Sequence, residues 1–233
     1  MKLIRFLNYC LFLCFSTVTS QTIDHSQWTE ILQLHVSDTG KVNYKGLLSN
    51  QEPLRKYLEV LASNAPKESW SNAEKKAFWI NAYNAYTIQL ILDNYPTESI
   101  KDISEPWGQM FFKIGGKSMS LERIEHEILR PMGDPRVHFA IVCASESCPR
   151  LLNYAYESKT LQQQLEKVTK QARGMVTVYG LSDKVGNLTY YDSSGQQSGF
   201  TKPYSEETAI LIDKEISSII EEQYQRAIKI LKD

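Results

Sequence analysis

The feature that most limits how this chain can fold is the run Phe78-Trp79-Ile80-Asn81-Ala82-Tyr83-Asn84-Ala85-Tyr86-Thr87-Ile88, which is apolar around most of its circumference when wound as a helix. Such a helix has no broad water-facing side, so other elements must cover it on more than one face. Its start is marked by Ser71-Asn72-Ala73-Glu74, a capping box in which hydroxyl and carboxylate each satisfy an orphan backbone donor. Its end is set by Tyr95-Pro96, because the residue before a proline is pushed out of the helical region. The expected helix therefore runs over 71–94. Asn81 and Asn84 lie three apart and share one side of it. Buried amides are costly unless hydrogen-bonded, so each is expected to hold a neighbouring backbone segment or to line a cleft, with the structural role favoured.

The rest of the pattern supplies what surrounds this helix. Trp28, Ile31, Leu32 and His35 recur at helical spacing and predict a helix over 25–36; an extended stretch follows over 41–44, then a helix over 53–62 opened by Pro53. Gly115-Gly116 between two short β-prone runs, 111–114 and 117–119, reads as a hairpin turn. Ser120 is the expected cap of a helix over 121–130 that Pro131 closes. The nearly continuous apolar run 136–143 reads as a central buried strand. A helix over 160–173, a strand over 175–179 and a long helix over 205–231 complete the reading. The expected fold class is α+β, a helix-rich single domain with a small, mainly antiparallel sheet.

At the N-terminus, Lys2 and Arg5 precede an apolar run over 6–15, and Val18 and Ser20 stand at the −3 and −1 positions of a cut before Gln21. Residues 1–20 thus read as a cleaved signal peptide, with an uncleaved anchor as the alternative. The expectation is an exported protein, periplasmic or extracellular, with 21–233 as one globular domain and no transmembrane segment after cleavage. Those 213 residues carry a net charge of −3 and no basic stripe, which argues against a nucleic-acid partner. Two of the four cysteines leave with the signal, and Cys143 and Cys148 remain. In an oxidising compartment this Cys-x4-Cys pair can close a small disulfide loop.

The candidate chemistry gathers between residues 121 and 149. Glu125 lies inside the apolar stripe formed by Leu121, Ile124, Ile128 and Leu129. A carboxylate there is expected to be paired or functional, because desolvation penalises its charge. His126 falls on the polar side with Glu122 and Arg130. Cys148 precedes Pro149, a favoured first helical residue, so the thiol is expected at a helix N-terminus, with His138 as the nearest imidazole. Both influences would lower a thiol pKa and favour the nucleophilic thiolate.

The stretches Phe78-Trp-Ile-Asn-Ala-Tyr-Asn-Ala-Tyr86, Ser120-Leu-Glu-Arg-Ile-Glu-His-Glu-Ile-Leu-Arg130 and Asp134-Pro-Arg-Val-His-Phe-Ala-Ile-Val-Cys-Ala-Ser-Glu-Ser-Cys-Pro149 occur in this order. Over about 42–152 the chain resembles the family catalogued as domain of unknown function 547. The residues that match its motifs are Asn81, Asn84, Glu125, His126, Arg136, His138, Cys143, Ser147, Cys148 and Pro149. The family's name implies no activity. The segment 181–203, Gly/Ser-rich around Tyr190-Tyr191, departs from the family pattern.

Two functions are carried forward. One is a thiol-dependent hydrolase or acyltransferase of the papain or transglutaminase kind, with Cys148 as nucleophile, His138 as base and Glu125 as orienting carboxylate. Asn81, Asn84, His126, Arg136, Cys143 and Ser147 would line its site, an Asn could donate to an oxyanion, and the substrate would be of peptide or amide type. The other is a non-catalytic binding or scaffolding domain with a structural Cys143–Cys148 disulfide. A redox-active pair is weaker, since the spacing is not Cys-x-x-Cys. No Gly-rich phosphate loop or metal-ligand spacing stands out, so neither cofactor nor metal is expected.

Overall fold

Helices dominate the computed structural model, which describes residues 23–144 and 150–177. The elements are α1 (Ser26–His35), α2 (Tyr44–Ser49), α3 (Glu52–Ser63), α4 (Asn72–Asp93), β1 (Phe112–Ile114), β2 (Lys117–Met119), α5 (Leu121–Arg123) and α6 (Leu161–Thr177), with a 3-10 turn at Ile100–Asp102. The expected signal peptide, the segment 181–203 and the helix over 205–231 lie outside the described residues. The class is α+β, helix-rich with a two-stranded antiparallel sheet.

Helix α4 is the axis of the core, as its composition requires. Ser71 accepts from the Glu74 amide at 3.2 Å and the Glu74 carboxylate accepts from the Ser71 amide, closing the capping box. Phe78, Ile80, Ala82 and Ala85 are completely buried on it. Helices α1 and α3 pack together beside it, the Trp28 and Tyr57 rings stacking with centroids 5.3 Å apart. On another side Tyr86 stacks on Phe112 of the hairpin at 3.7 Å. Gly115 and Gly116 turn that hairpin with φ of 58° and 77°, the positive values a two-residue primed turn demands. The turn docks on the end of α3, where the Gly115 amide donates to the Ala62 carbonyl at 2.8 Å and an added Cβ would come within 2.7 Å of Ala65.

The expected strand over 136–143 does not form. Asp134 accepts from the Arg136 amide and Pro135 occupies the first turn of a 3-10 helix, Pro135–Phe139. Beyond it, Asn84 takes the place of a neighbouring strand: its side-chain amide donates to the Ala140 carbonyl at 2.9 Å and its oxygen accepts from the Val142 amide at 2.9 Å. Asn81 does the same for both backbone groups of Tyr156, at 2.8 and 2.9 Å. An apolar run satisfied in this way needs no sheet, and its composition is the same as that of a buried strand. The extended stretch over 41–44 is reduced to one bridge, Val36 with Val42, before Tyr44 opens α2. The strand expected to begin at 175 is also not there, since α6 continues to Thr177.

Charge ties the same layers together. Asp134 accepts from Lys76 of α4 at 2.8 Å and from Arg136 at 2.9 and 3.0 Å, and Arg136 reaches Gln162 of α6 at 2.8 Å. Burial alone would raise the Asp134 carboxyl, but hydrogen bonds and charges from Arg136 and Lys76 outweigh it and hold the group well below the usual carboxylate range. Helix α6 buries Leu161, Leu165 and Val168 and packs on the Pro135–Phe139 turn.

Two stability outcomes follow from these contacts. Asn84→Ala leaves the Val142 donor and the Ala140 acceptor without their partner, so urea unfolding is expected to show a loss of about 3 kcal/mol. The second concerns His25, which is buried, shares a 2.8 Å hydrogen bond with the Tyr57 hydroxyl and is pushed down by burial to about 4, with Asp24 opposing. Its unfolded value is about 6.5, so this contribution is full above pH 6.5 and is lost as pH falls through 6.5 towards 4. Acidification from pH 7 to pH 4 is expected to cost on the order of 3 kcal/mol through this group, and His25→Gln to flatten that part of the profile.

Candidate functional site

The site is organised by an unusual helix. Ser120 caps it by accepting from the Arg123 amide at 3.1 Å, and α5 then runs without a break into a π-helix, Ile124–Leu129, and a 3-10 turn, Arg130–Met132. The π-helix closes i→i+5 bonds, and the Arg130 amide donates to the Glu125 carbonyl in that register. Residues five apart thereby become neighbours. The Arg130 guanidinium donates to Glu125 Oε1 at 3.0 Å, although an α-helix would place Arg130 on the polar side with Glu122 and His126. Ile124 and Leu129 stay buried, while Glu125 and His126 are half-buried.

The same carboxylate oxygen faces a second partner. His138 Nδ1, on the Pro135–Phe139 turn, lies 3.7 Å from Glu125 Oε1, with both side chains about one-fifth exposed. Glu125 also sits close enough to α4 for its charge to act on Tyr83, whose hydroxyl is raised well above its usual range by burial first and by Glu125 second, with Arg130 opposing. Of the expected catalytic residues, Glu125 and His138 are thus brought together. Arg130 is a third member that sequence reasoning missed, because its signal was an i,i+5 spacing that ordinary helices do not use.

The other expected site residues are placed as follows. Cys143 is half-buried, follows the His138 turn and is disulfide-bonded. The next residue, Ala144, takes a left-handed φ of 55°, which costs a residue with a Cβ about 1–2 kcal/mol. Ser147 and Cys148 lie outside the described residues. The helix expected to begin at Pro149 is absent over 150–160, so a helix N-terminus is not what would activate Cys148. Asn81 and Asn84 both serve the backbone rather than an oxyanion, and Arg136 is engaged by Asp134 and Gln162. Lys76 and Asp134, 58 residues apart, were not legible as partners.

Comparison with known proteins divides the chain. Residues 67–171 match the family described as "Protein of unknown function, DUF547", which bears out the resemblance read from the sequence over that stretch. Residues 152–233 match "Peptidase family M41", which accounts for the departure from the first family's pattern there. The ATP-dependent zinc metalloprotease FtsH of Parabacteroides distasonis is 65% identical over 69 residues, covering 30% of this chain and 10% of that protein. Its namesake from Karelsulcia muelleri is 54% identical over 69 residues, covering 29% and 11%, and that from Rhodothermus marinus 47% over 74 residues, covering 31% and 11%. The chain therefore spans only about a tenth of the length of these curated relatives. No solved structure matches.

These relatives overturn the expectation of an exported, periplasmic or extracellular protein. By name they are ATP-dependent proteases, and that dependence on ATP is what runs against export. No helix among the described residues is long and apolar enough to cross a membrane.

The zinc in the relatives' name can be tested against the donors present. Residues 152–233 contain neither His nor Cys, the side chains that hold zinc most firmly. The sequence His126-Glu127-Ile128-Leu129-Arg130 has Arg where a His-Glu-x-x-His motif has its second histidine. Among the described residues no three of His, Cys, Asp and Glu are grouped to hold a metal ion. The residues do not fit zinc. Elemental analysis of the dialysed full chain is expected to find zinc far below one atom per chain, and a stoichiometric, tightly held ion would contradict this.

Proposed function

We propose that the stretch matching the family of unknown function, residues 67–171, carries a thiol-dependent hydrolase or acyltransferase site. The carrying observation is the approach of Glu125 Oε1 to His138 Nδ1 at 3.7 Å. A carboxylate facing Nδ1 orients the ring and leaves Nε2 to take a proton from a thiol, the base-and-orienter arrangement that activates nucleophiles. The distance is longer than a hydrogen bond, as is common before substrate tightens a site. In this reading the Cys148 thiol loses its proton to His138 and the thiolate attacks an acyl carbon of a peptide or amide. His138 returns the proton to the departing amine, leaving a thioester. Water or another amine then attacks the thioester, gives its proton to His138 and releases the thiol. Arg130 holds Glu125 in place on its π-turn.

A specific observation favours a second reading, a non-catalytic binding or scaffolding domain: Cys143 is disulfide-bonded. If Cys148 is its partner, the thiol is masked until reduction. Such a short loop would stabilise by about 2 kcal/mol through chain entropy.

Reduced full-length protein treated with iodoacetamide across pH, with the alkylated peptide mapped by mass spectrometry, separates the readings. The catalytic reading expects Cys148 to react with a midpoint well below the ordinary thiol value of about 8.5, and His138→Ala and Glu125→Gln to move it upward. A midpoint at the ordinary value, unmoved by either substitution, overturns it. The scaffolding reading expects Cys143→Ser and Cys148→Ser to lower the stability of the unreduced protein equally.

A further inference from the structure

A cleft away from Glu125 and His138 has the makings of a ligand site. It lies between the start of α6 and the segment before it, has a volume of about 420 Å³, and is lined by Thr29, Tyr154, Glu157, Thr160, Gln164 and Lys167 among others. Its floor is rigid. The buried Gln164 side chain accepts from the Glu157 amide at 2.9 Å and donates to the Ala155 carbonyl at 2.8 Å, and Thr29 Oγ1 accepts from the Ala155 amide at 3.0 Å. Every backbone group that the floor offers to these side chains is therefore already engaged by them.

Two charges of opposite sign remain on the walls. The Glu157 carboxyl is half-buried and forms no hydrogen bond or ion pair with any described residue, and burial raises it first, the nearby Asp24 charge second, with Lys159 opposing. The Lys167 ammonium is held by the Tyr154 hydroxyl at 3.0 Å and stands 5.2 Å from the centre of that ring. Neither charge neutralises the other. A carboxylate kept partly out of water with no cation in direct contact is a destabilising arrangement that a ligand cation would relieve. A tethered ammonium is correspondingly placed for an anion.

We propose that this cleft binds a short peptide by both of its ends, Glu157 taking the amino terminus, Lys167 the carboxyl terminus, and the Tyr154 ring forming the wall between them. The inference stands apart from the thiol reading, since it uses none of the same residues.

Isothermal titration of the full chain with the dipeptide Ala-Ala, and with the same dipeptide acetylated and amidated, tests it. Saturable binding of Ala-Ala is expected, weakened about tenfold or more by blocking both ends, by Glu157→Gln and by Lys167→Ala. Absence of saturable heat, equal binding of the blocked dipeptide, or unchanged binding by both variants would overturn it. Circular dichroism melts establish that the variants are folded, and if Glu157→Gln is not, the exposed Lys167→Ala and the blocked dipeptide decide the matter. Alkylation of Cys148 is expected to be the same in both variants as in the parent.

Discussion

The structure depends on two amide side chains. Asn81 and Asn84 project from one side of the central helix and hydrogen-bond the main chain at Tyr156 and at Ala140 and Val142. Both are essentially without solvent exposure. A buried chain segment must satisfy its donors and acceptors somewhere, and here a helix supplies what a sheet would otherwise supply. This permits an α+β protein with a very small sheet to bury two irregular segments against its core. It also fixes the far end of the turn that carries His138, because Ala140 and Val142 are pinned directly after it.

The other end of the site is fixed by a change of helical pitch. If 121–130 were an ordinary α-helix, the five-residue step from Glu125 to Arg130 would be a rotation of about 500°, roughly 140° beyond a full turn, which places them on different faces. In the π-helix they meet at 3.0 Å, and the carboxylate is left facing the imidazole. Glu125 was conspicuous in the sequence because it interrupts an apolar stripe, and it is indeed paired. The identity of its partners depended on a pitch that no local pattern announced.

Much of the frame was legible because its signals are local. The capping box at Ser71 and Glu74, the break at Tyr95-Pro96 and the Gly115-Gly116 turn each act within a few residues, and each element formed close to its expected bounds. The run 136–143 was misread because apolar composition reports burial and not backbone conformation. What decided its conformation was Asn84, more than fifty residues away. The ion cluster of Lys76, Asp134 and Arg136 was hidden for the same reason. The export expectation came from the first twenty residues alone, whereas the similarity that overturned it lies at the other end of the chain.

Helix α6 belongs to both family matches, since residues 152–171 are shared between them and the helix begins at Leu161. Its apolar face is locked in phase by Leu161, Leu165 and Val168 against the core. A rigid helix transmits that phase along its length at about 100° per residue. One residue inserted or removed after Val168 would therefore leave the packed turn untouched and swing the end of the helix by more than a quarter of a revolution. Where two family matches overlap in a single helix, their overlap is a matter of angular register as well as of sequence.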